Sequence, residues 1–266
     1  MKSETVKLSA LKQFWEIPIL YEDDHLLALN KPPLLLTSPD RYDPNRPNLM
    51  KLLHRDIEQG KPWAARRKLD YLMNAHRLDF ETSGVILLAK TKPVLVALAN
   101  LFGSEKPVKT YVALVRGTPA EEKFEVNLKI GMHPNRPGFM RGDEKNGKRS
   151  RTLFAIRERF QGFSLIECSP LTGRTHQIRV HLKHAGHPIV GDAVYGGAPL
   201  LLSSLKSSYR LKPKQVERPL IDSTALHAER LQLVHPVTGT EVSITAPWPK
   251  DLTVAVKYLR RYAAAS

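Results

Sequence analysis

The sequence predicts an α+β fold, a mixed and mostly antiparallel sheet flanked by a few helices. Three stretches carry that expectation. "RTLFAIRERFQGFSLIECS" reads as two strands joined at Gln161-Gly162, and "ALHAERLQLVHPVTGTEVSITAP" as two more joined around Thr238-Gly239. "IPILYEDDHLLALNK" (17–31) holds two short apolar runs around an acidic turn, as in a hairpin. Adjacent hairpins mean antiparallel pairing, which excludes a doubly wound parallel sheet.

The other elements follow in chain order. "PPLLLTSP" is extended edge or loop, because its prolines cannot donate to a ladder. "PNLMKLLHRDIEQ" places Leu49, Leu52, Leu53 and Ile57 near helical spacing. "VILLAK" has the length and apolarity of a buried strand. "KPVLVALANLFGSEK" starts near Pro93 and stops near Gly103, the asymmetry of a helix. "VKTYVALVRG" reads as a strand. Residues 131–152, rich in Gly, Pro and Arg, and residues 197–219 read as long surface loops. The second carries Lys206, Arg210, Lys212, Lys214 and Arg218 against Glu217 alone, so it suits phosphate contacts or is simply a solvated insertion.

Lys plus Arg number 41 against 26 Asp plus Glu, a formal net charge of +15. Such an excess attracts a polyanion, and nucleic acid is the commonest one. The single cysteine, Cys168, excludes an intramolecular disulfide and a cysteine-based zinc site; its alternating surroundings place it in a buried strand. "MKSETVKLSALKQFWE" lacks the apolar core of a signal peptide, and no uncharged apolar stretch is long enough to cross a bilayer. The expected location is cytoplasmic, without a membrane partner.

Four places invite chemistry. In "AHRLDFETSGVILLAK" an arginine and a carboxylate stand two residues apart before an apolar strand. Asp79 there is a turn-former, half of an exposed ion pair, or a catalytic group. A tight turn at Thr82, Ser83 and Gly84 would hold a nucleophilic carboxylate still. "LTGRTHQIRVHLKHAGHPIVGD" reads as a helix between Thr175 as N-cap and Gly186 as C′ residue. Ile178, Leu182 and Ala185 line one face of it, and His176 and Arg179 share another. Its four histidines lack the i, i+4 spacing of a zinc helix, so backbone and scaffold hydrogen bonds account for them better and no metal is expected. Tyr111 in "KTYVALV" is a strand residue with a polar tip, for packing or for proton transfer. "LALNKPPLLL" sets Lys31 before two prolines, a rigid loop in which nothing dictates chemistry.

Together these segments resemble the RluA-type family of RNA pseudouridine synthases. "HRLDFETSG" is similar to that family's signature around its catalytic aspartate, and "LYEDDHLLALNKPPLLL" to its opening segment. "KPVKTYVALVRG" resembles the strand bearing the active-site tyrosine. "LTGRTHQIRVHL" with "GHPIVGDAVYG", and "LHAERLQLVHPVTG", resemble the later motifs, in the same order. The likeness covers residues 17 to 248. It leaves 1–16 as an N-terminal extension, 17–252 as the catalytic domain of two sub-lobes around a central RNA-binding cleft, and 253–266 as a helix or tail.

The resemblance implies that Asp79 is the catalytic carboxylate and that Arg179 is its salt-bridge partner. It implies that Tyr111 stacks on the uracil and is a candidate for handling the proton at C5. Arg77 would enter the RNA where the flipped base leaves the stack. His76, Arg174, His176, Lys206, Arg210, Lys212 and Lys214 are the further expected RNA contacts. The implied substrate is structured ribosomal or transfer RNA and the expected chain a monomer, and no cofactor is implied because breaking N1–C1′ and rejoining through C5 is redox-neutral. Attack at C1′ and proton removal at C2′ remain alternatives for the carboxylate. Burial favours a neutral acid, whereas an adjacent guanidinium favours the charged form that either route needs. Many relatives carry an S4-type RNA-binding domain ahead of the catalytic domain. Here about 16 residues precede the first motif, so RNA selection is expected from the catalytic domain and its basic loops. Two other classes fit parts of the pattern. One is a non-catalytic RNA-binding protein; the other is a base-releasing glycosidase, which ordinarily needs two flanking carboxylates and has only Glu81 near Asp79.

Overall fold

The computed structural model describes residues 4–40, 43–211 and 215–265. It divides into two compact units, residues 1–108 with 228–247, and residues 109–227 with 248–266. The first unit contains β1 (Thr5–Ala10), β2 (Gln13–Glu22), β3 (Leu26–Lys31), α1 (Leu49–Glu58), α2 (Pro62–Ala65), β4 (Met73–Asn74), β5 (Ser83–Ala89) and α3 (Lys92–Gly103). The second contains β6 (Val108–Arg116, from Lys109), β7 (Lys123–Asn127), β8 (Ile130–Met132), β9 (Met140–Gly142), β10 (Arg151–Phe160), β11 (Phe163–Pro170), α4 (Gln177–His184) and α5 (Leu202–Leu205). β12 (Leu226–Val234) starts in the second unit and enters the first at Ala228, β13 (Glu241–Thr245) lies in the first, and α6 (Lys250–Tyr262) ends the second.

In the first unit the strand order is β1-β2-β3-β5-β12, with β4 on β5 and β13 on β12. The β2–β3 and β12–β13 pairs are antiparallel, as the hairpin signals predict, and so are β1–β2, β3–β5 and β4–β5, for which no hairpin signal stood in the sequence. Every residue of β5 is buried, so "SGVILLA" is an apolar run with no alternation. Val85, Leu87 and Ala89 pack with Val94 and Leu98 of α3 and with Leu231, Leu233, Val242 and Ile244. Gly84, at φ +114, is required here: a Cβ on it would lie 2.2 Å from the Ala228 carbonyl oxygen. α1 is capped by Asn48, whose side chain accepts from the Lys51 N–H at 2.9 Å, and α3 by Thr91.

The described part of the expected N-terminal extension is regular structure. From Thr5 onward it pairs into β1 and the start of β2, and Val6, Leu8 and Ile17 are buried. The sequence conceals the hairpin because its two-residue turn is Leu11-Lys12, both at positive φ (47° and 63°), where Asn-Gly or Asp-Gly normally signals it.

In the second unit the order is β12-β6-β11-β10-β7, with the β6–β11, β10–β11 and β7–β10 pairs antiparallel. The β10–β11 turn falls at Gln161-Gly162 as expected, and Cys168 is buried in β11, which pushes its thiol pKa up. α4 packs its apolar residues Ile178, Val180 and Leu182 into a core with Val112, Leu114, Ile166 and Leu259. The expected loop 131–152 is partly regular: β8 and β9 form a small antiparallel hairpin, and Ile130 bridges Lys148. The loop 197–219 includes α5 and a buried Leu200, whose carbonyl accepts from the Leu220 N–H. Among the described residues no helix is long and apolar enough to cross a membrane.

Candidate functional site

In the first unit the loop 75–82 leads from β4 into β5. Its anchor is Leu78, buried between two more open neighbours, Arg77 and Asp79. Thr37, 41 residues upstream and itself buried, holds both polar groups of Leu78: its hydroxyl donates to the Leu78 carbonyl at 2.9 Å and accepts from the Leu78 N–H at 3.1 Å. The Asp79 carbonyl accepts from the Thr82 N–H at 3.2 Å and closes the turn. The turn thus spans 79–82, beginning three residues before the expected Thr82-Ser83-Gly84, because Ser83 and Gly84 already belong to β5. Arg77 is exposed, Asp79 is half-buried, and Arg46 stacks its guanidinium on the Phe80 ring at 4.5 Å.

Close to this loop lies a residue for which nothing in the sequence dictated chemistry. Lys31, last in β3 and paired with Gly84, has no exposed surface. Its ammonium donates to the Pro32 and Leu35 carbonyls at 2.8 and 2.7 Å. Burial pushes its pKa down to about 7, opposed by attraction to Asp79. An isolated cation between two apolar runs, "LLALNKPPLLL", was the available signal. His76 is engaged in the fold. Its Nε2 accepts from the Leu87 N–H at 3.1 Å, and its ring stacks on Phe102 at 4.8 Å.

In the second unit Tyr111 is half-buried in β6, opposite Cys168. Arg179 is buried in α4 and gripped by Asp192, Nε to Oδ2 at 2.7 Å and Nη2 to Oδ1 at 2.8 Å. That bidentate fork sets the plane and direction of the guanidinium. Asp192 was not singled out from sequence; an acid directly after Gly191 was its only mark. The Arg179 guanidinium also lies 5.0 Å over the Tyr195 ring. The hydroxyl of Tyr195 accepts from the Met140 N–H and bonds His176 Nδ1 at 2.8 Å.

His176, not Thr175, is the N-cap of α4, at φ 54° and without a side-chain cap bond. Gln177 makes the local bonds instead, accepting from Thr172 Oγ1 and the Arg174 N–H and donating to the Arg151 carbonyl and Thr152 Oγ1. Arg174 is exposed and donates to the Arg149 carbonyl. His181 is buried between Ser150 and Thr152, at 2.8 and 2.9 Å, and burial pushes its pKa down to about 4. Among the described residues no three His, Cys, Asp or Glu side chains gather as a metal-binding cluster. Lys206 lies 5.8 Å from the Tyr262 ring, and Arg210 donates to the Ser207 and Tyr209 carbonyls. Lys212 and Lys214 lie outside the described residues.

The family model described as RNA pseudouridylate synthase matches residues 25–184. A ribosomal large subunit pseudouridine synthase D from Xylella fastidiosa is 36% identical over 259 residues, covering 97% of this chain and 74% of the relative. A ribosomal large subunit pseudouridine synthase C from Salmonella typhi is 35% identical, covering 91% and 70%. Among solved structures, human RNA pseudouridylate synthase domain containing 1 superposes with a TM-score of 0.64 at 25% identity, covering 90% of this chain and 87% of that one. The chain therefore belongs to the RNA pseudouridylate synthase family, enzymes that isomerise uridine in RNA to pseudouridine.

Proposed function

We propose that the chain modifies uridine in ribosomal large-subunit RNA, with Asp79 as its catalytic carboxylate. The observation that carries this reading is the Thr37 clamp on Leu78, which holds Arg77 exposed on one side and Asp79 half-buried on the other. A single rigid turn then serves two tasks. Arg77, planar and cationic, fills the gap left by the everted base and binds phosphate. Its entry presents the ribose to Asp79 for attack at C1′ or proton removal at C2′. Unstacking a base costs a few kcal/mol, which a side chain inserted in its place partly offsets.

Tyr111 stacks on the uracil in this reading, and Arg179, its fork held by Asp192, is the charge partner of Asp79. His76 and His176 act through the fold, by anchoring the loops that bear Arg77 and Arg174. The ribosomal target follows the names of the two bacterial relatives. The test is tritium release from C5-labelled uridine in a large-subunit RNA transcript. Asp79→Asn is expected to abolish release while keeping the wild-type melting temperature. Full activity in that variant removes Asp79 from the chemistry, and free uracil as product replaces isomerisation with hydrolysis.

A further inference from the structure

The first unit carries two adjoining grooves on and beside α1, neither of them lined by the turn residues 79–82. One, of about 580 Å³, is lined by Lys7 and Ser9 of β1, Arg55 of α1, and Lys61 and Arg66 around α2. The other, of about 980 Å³, runs past the β1–β2 turn at Leu11 and along α1, lined by three cations, Arg46, Lys51 and again Arg55, against one carboxylate, Glu58. Arg55 belongs to both, so they share a wall.

Three features of this surface point to the same ligand. The first is charge. Lys51 and Lys61 are exposed with no carboxylate partner among the described residues. Lys7 and Arg66 hold only long, exposed pairs, to Glu16 at 3.7 Å and Glu4 at 3.6 Å, which a phosphate readily displaces. Asp56, the acid in the smaller groove, is buried and committed to Arg55 and Trp63. Lys51 and Arg55, one helical turn apart, repel each other and weaken α1 in isolation.

The second feature is an unburied aromatic. Phe14 is 63% exposed and sits opposite Ser9 in the β1–β2 register, so it shares a sheet face with Lys7 and Ser9 at the groove. A cationic groove edged by an exposed ring is the arrangement that tracks a single-stranded backbone and stacks its bases. The third is the turn itself. Leu11 and Lys12 both occupy the left-handed region, a strained conformation that holds Leu11, 78% exposed, at the groove's rim.

We propose that this face is a second RNA-binding site, which takes a single-stranded segment of the substrate at a distance from the target uridine. Phosphates lie along Lys7, Lys51, Arg55, Lys61 and Arg66, and one base stacks on Phe14. The larger groove ends at Arg46, whose guanidinium rests on Phe80 next to Asp79, so strand bound there runs toward the catalytic turn. The identity of the polyanion rests on the function proposed above; the location of the site does not.

The test measures the affinity of the full chain for a single-stranded oligouridylate as salt is varied. Lys51→Gln, Lys61→Gln and Arg66→Gln are combined in one variant. A control removes the same charge from the second unit through Lys123→Gln, Lys250→Gln and Lys257→Gln. All six side chains are exposed, so melting temperatures are expected to match. The groove variant is expected to lower the log–log salt slope by about 2, at roughly 0.7 per lost phosphate contact, with the control near wild type. Phe14→Ala is expected to weaken binding about tenfold at fixed salt. Equal slopes for groove and control variants overturn the proposal, as does unchanged affinity in Phe14→Ala. Because the readout is binding, failure to form pseudouridine sinks the catalytic reading without touching this one.

Discussion

Lys31 shows how much one side chain alters the local chemistry. A lysine without exposed surface loses hydration of its charge, and two carbonyls with the attraction of Asp79 only partly replace it, so its pKa falls from 10.5 to about 7. The sign of the linkage follows. Between about pH 7 and 10.5 the unfolded chain binds a proton that the folded chain does not, so this group's contribution to stability rises with pH and is lost as pH falls through 7. Lys31→Met keeps the length and removes the titration. Relative to wild type, the variant is expected to lose up to about 1.4 kcal/mol of stability for each pH unit climbed in that window. Urea melts at pH 7.5 and 8.5 measure this, and a pH-independent difference contradicts the buried, titrating ammonium.

Among the elements, the loop 75–82 depends on a partner far away in sequence. Thr37→Val preserves shape but leaves the buried N–H and carbonyl of Leu78 without their shared partner, a loss of about 1–3 kcal/mol. If the clamp aims Arg77 and Asp79, the variant also slows tritium release at saturating RNA, and Thr37→Ser restores most of it. Equal rates for all three proteins would show that the clamp serves stability alone. The elements themselves were mostly legible: α1 and α3 carry caps and apolar stripes, and the turns at Gln161-Gly162 and Thr238-Gly239 sit where glycine placed them. The β1–β2 hairpin was missed because Leu11-Lys12 carries no turn residue. The cap of α4 falls one residue later than Thr175, at His176, whose left-handed backbone needs no side-chain cap bond, a conformation that no local residue preference signals.

For the molecule as a whole, the net charge of +15 is a statement about association rather than fold. Each phosphate neutralised releases counterions, so the KM for an RNA transcript is expected to rise steeply with salt. With about six contacts the rise is roughly a thousandfold between about 50 and 200 mM. Tritium-release kinetics across that range test it, and a flat KM would mean that the basic surface takes no part in holding RNA. Length, charge and the order of five motifs already indicated a basic α+β enzyme of this family, because periodicity, turn residues and motif spacing are local and survive in one dimension. Tertiary structure alone decided that Lys31 is buried beside Asp79, that Thr37 holds Leu78, that Asp192 grips Arg179, and that residues 5–16 complete a sheet edge. Those are matters of burial and of pairing between distant residues, and a chain acquires them only when its apolar strands meet and exclude water.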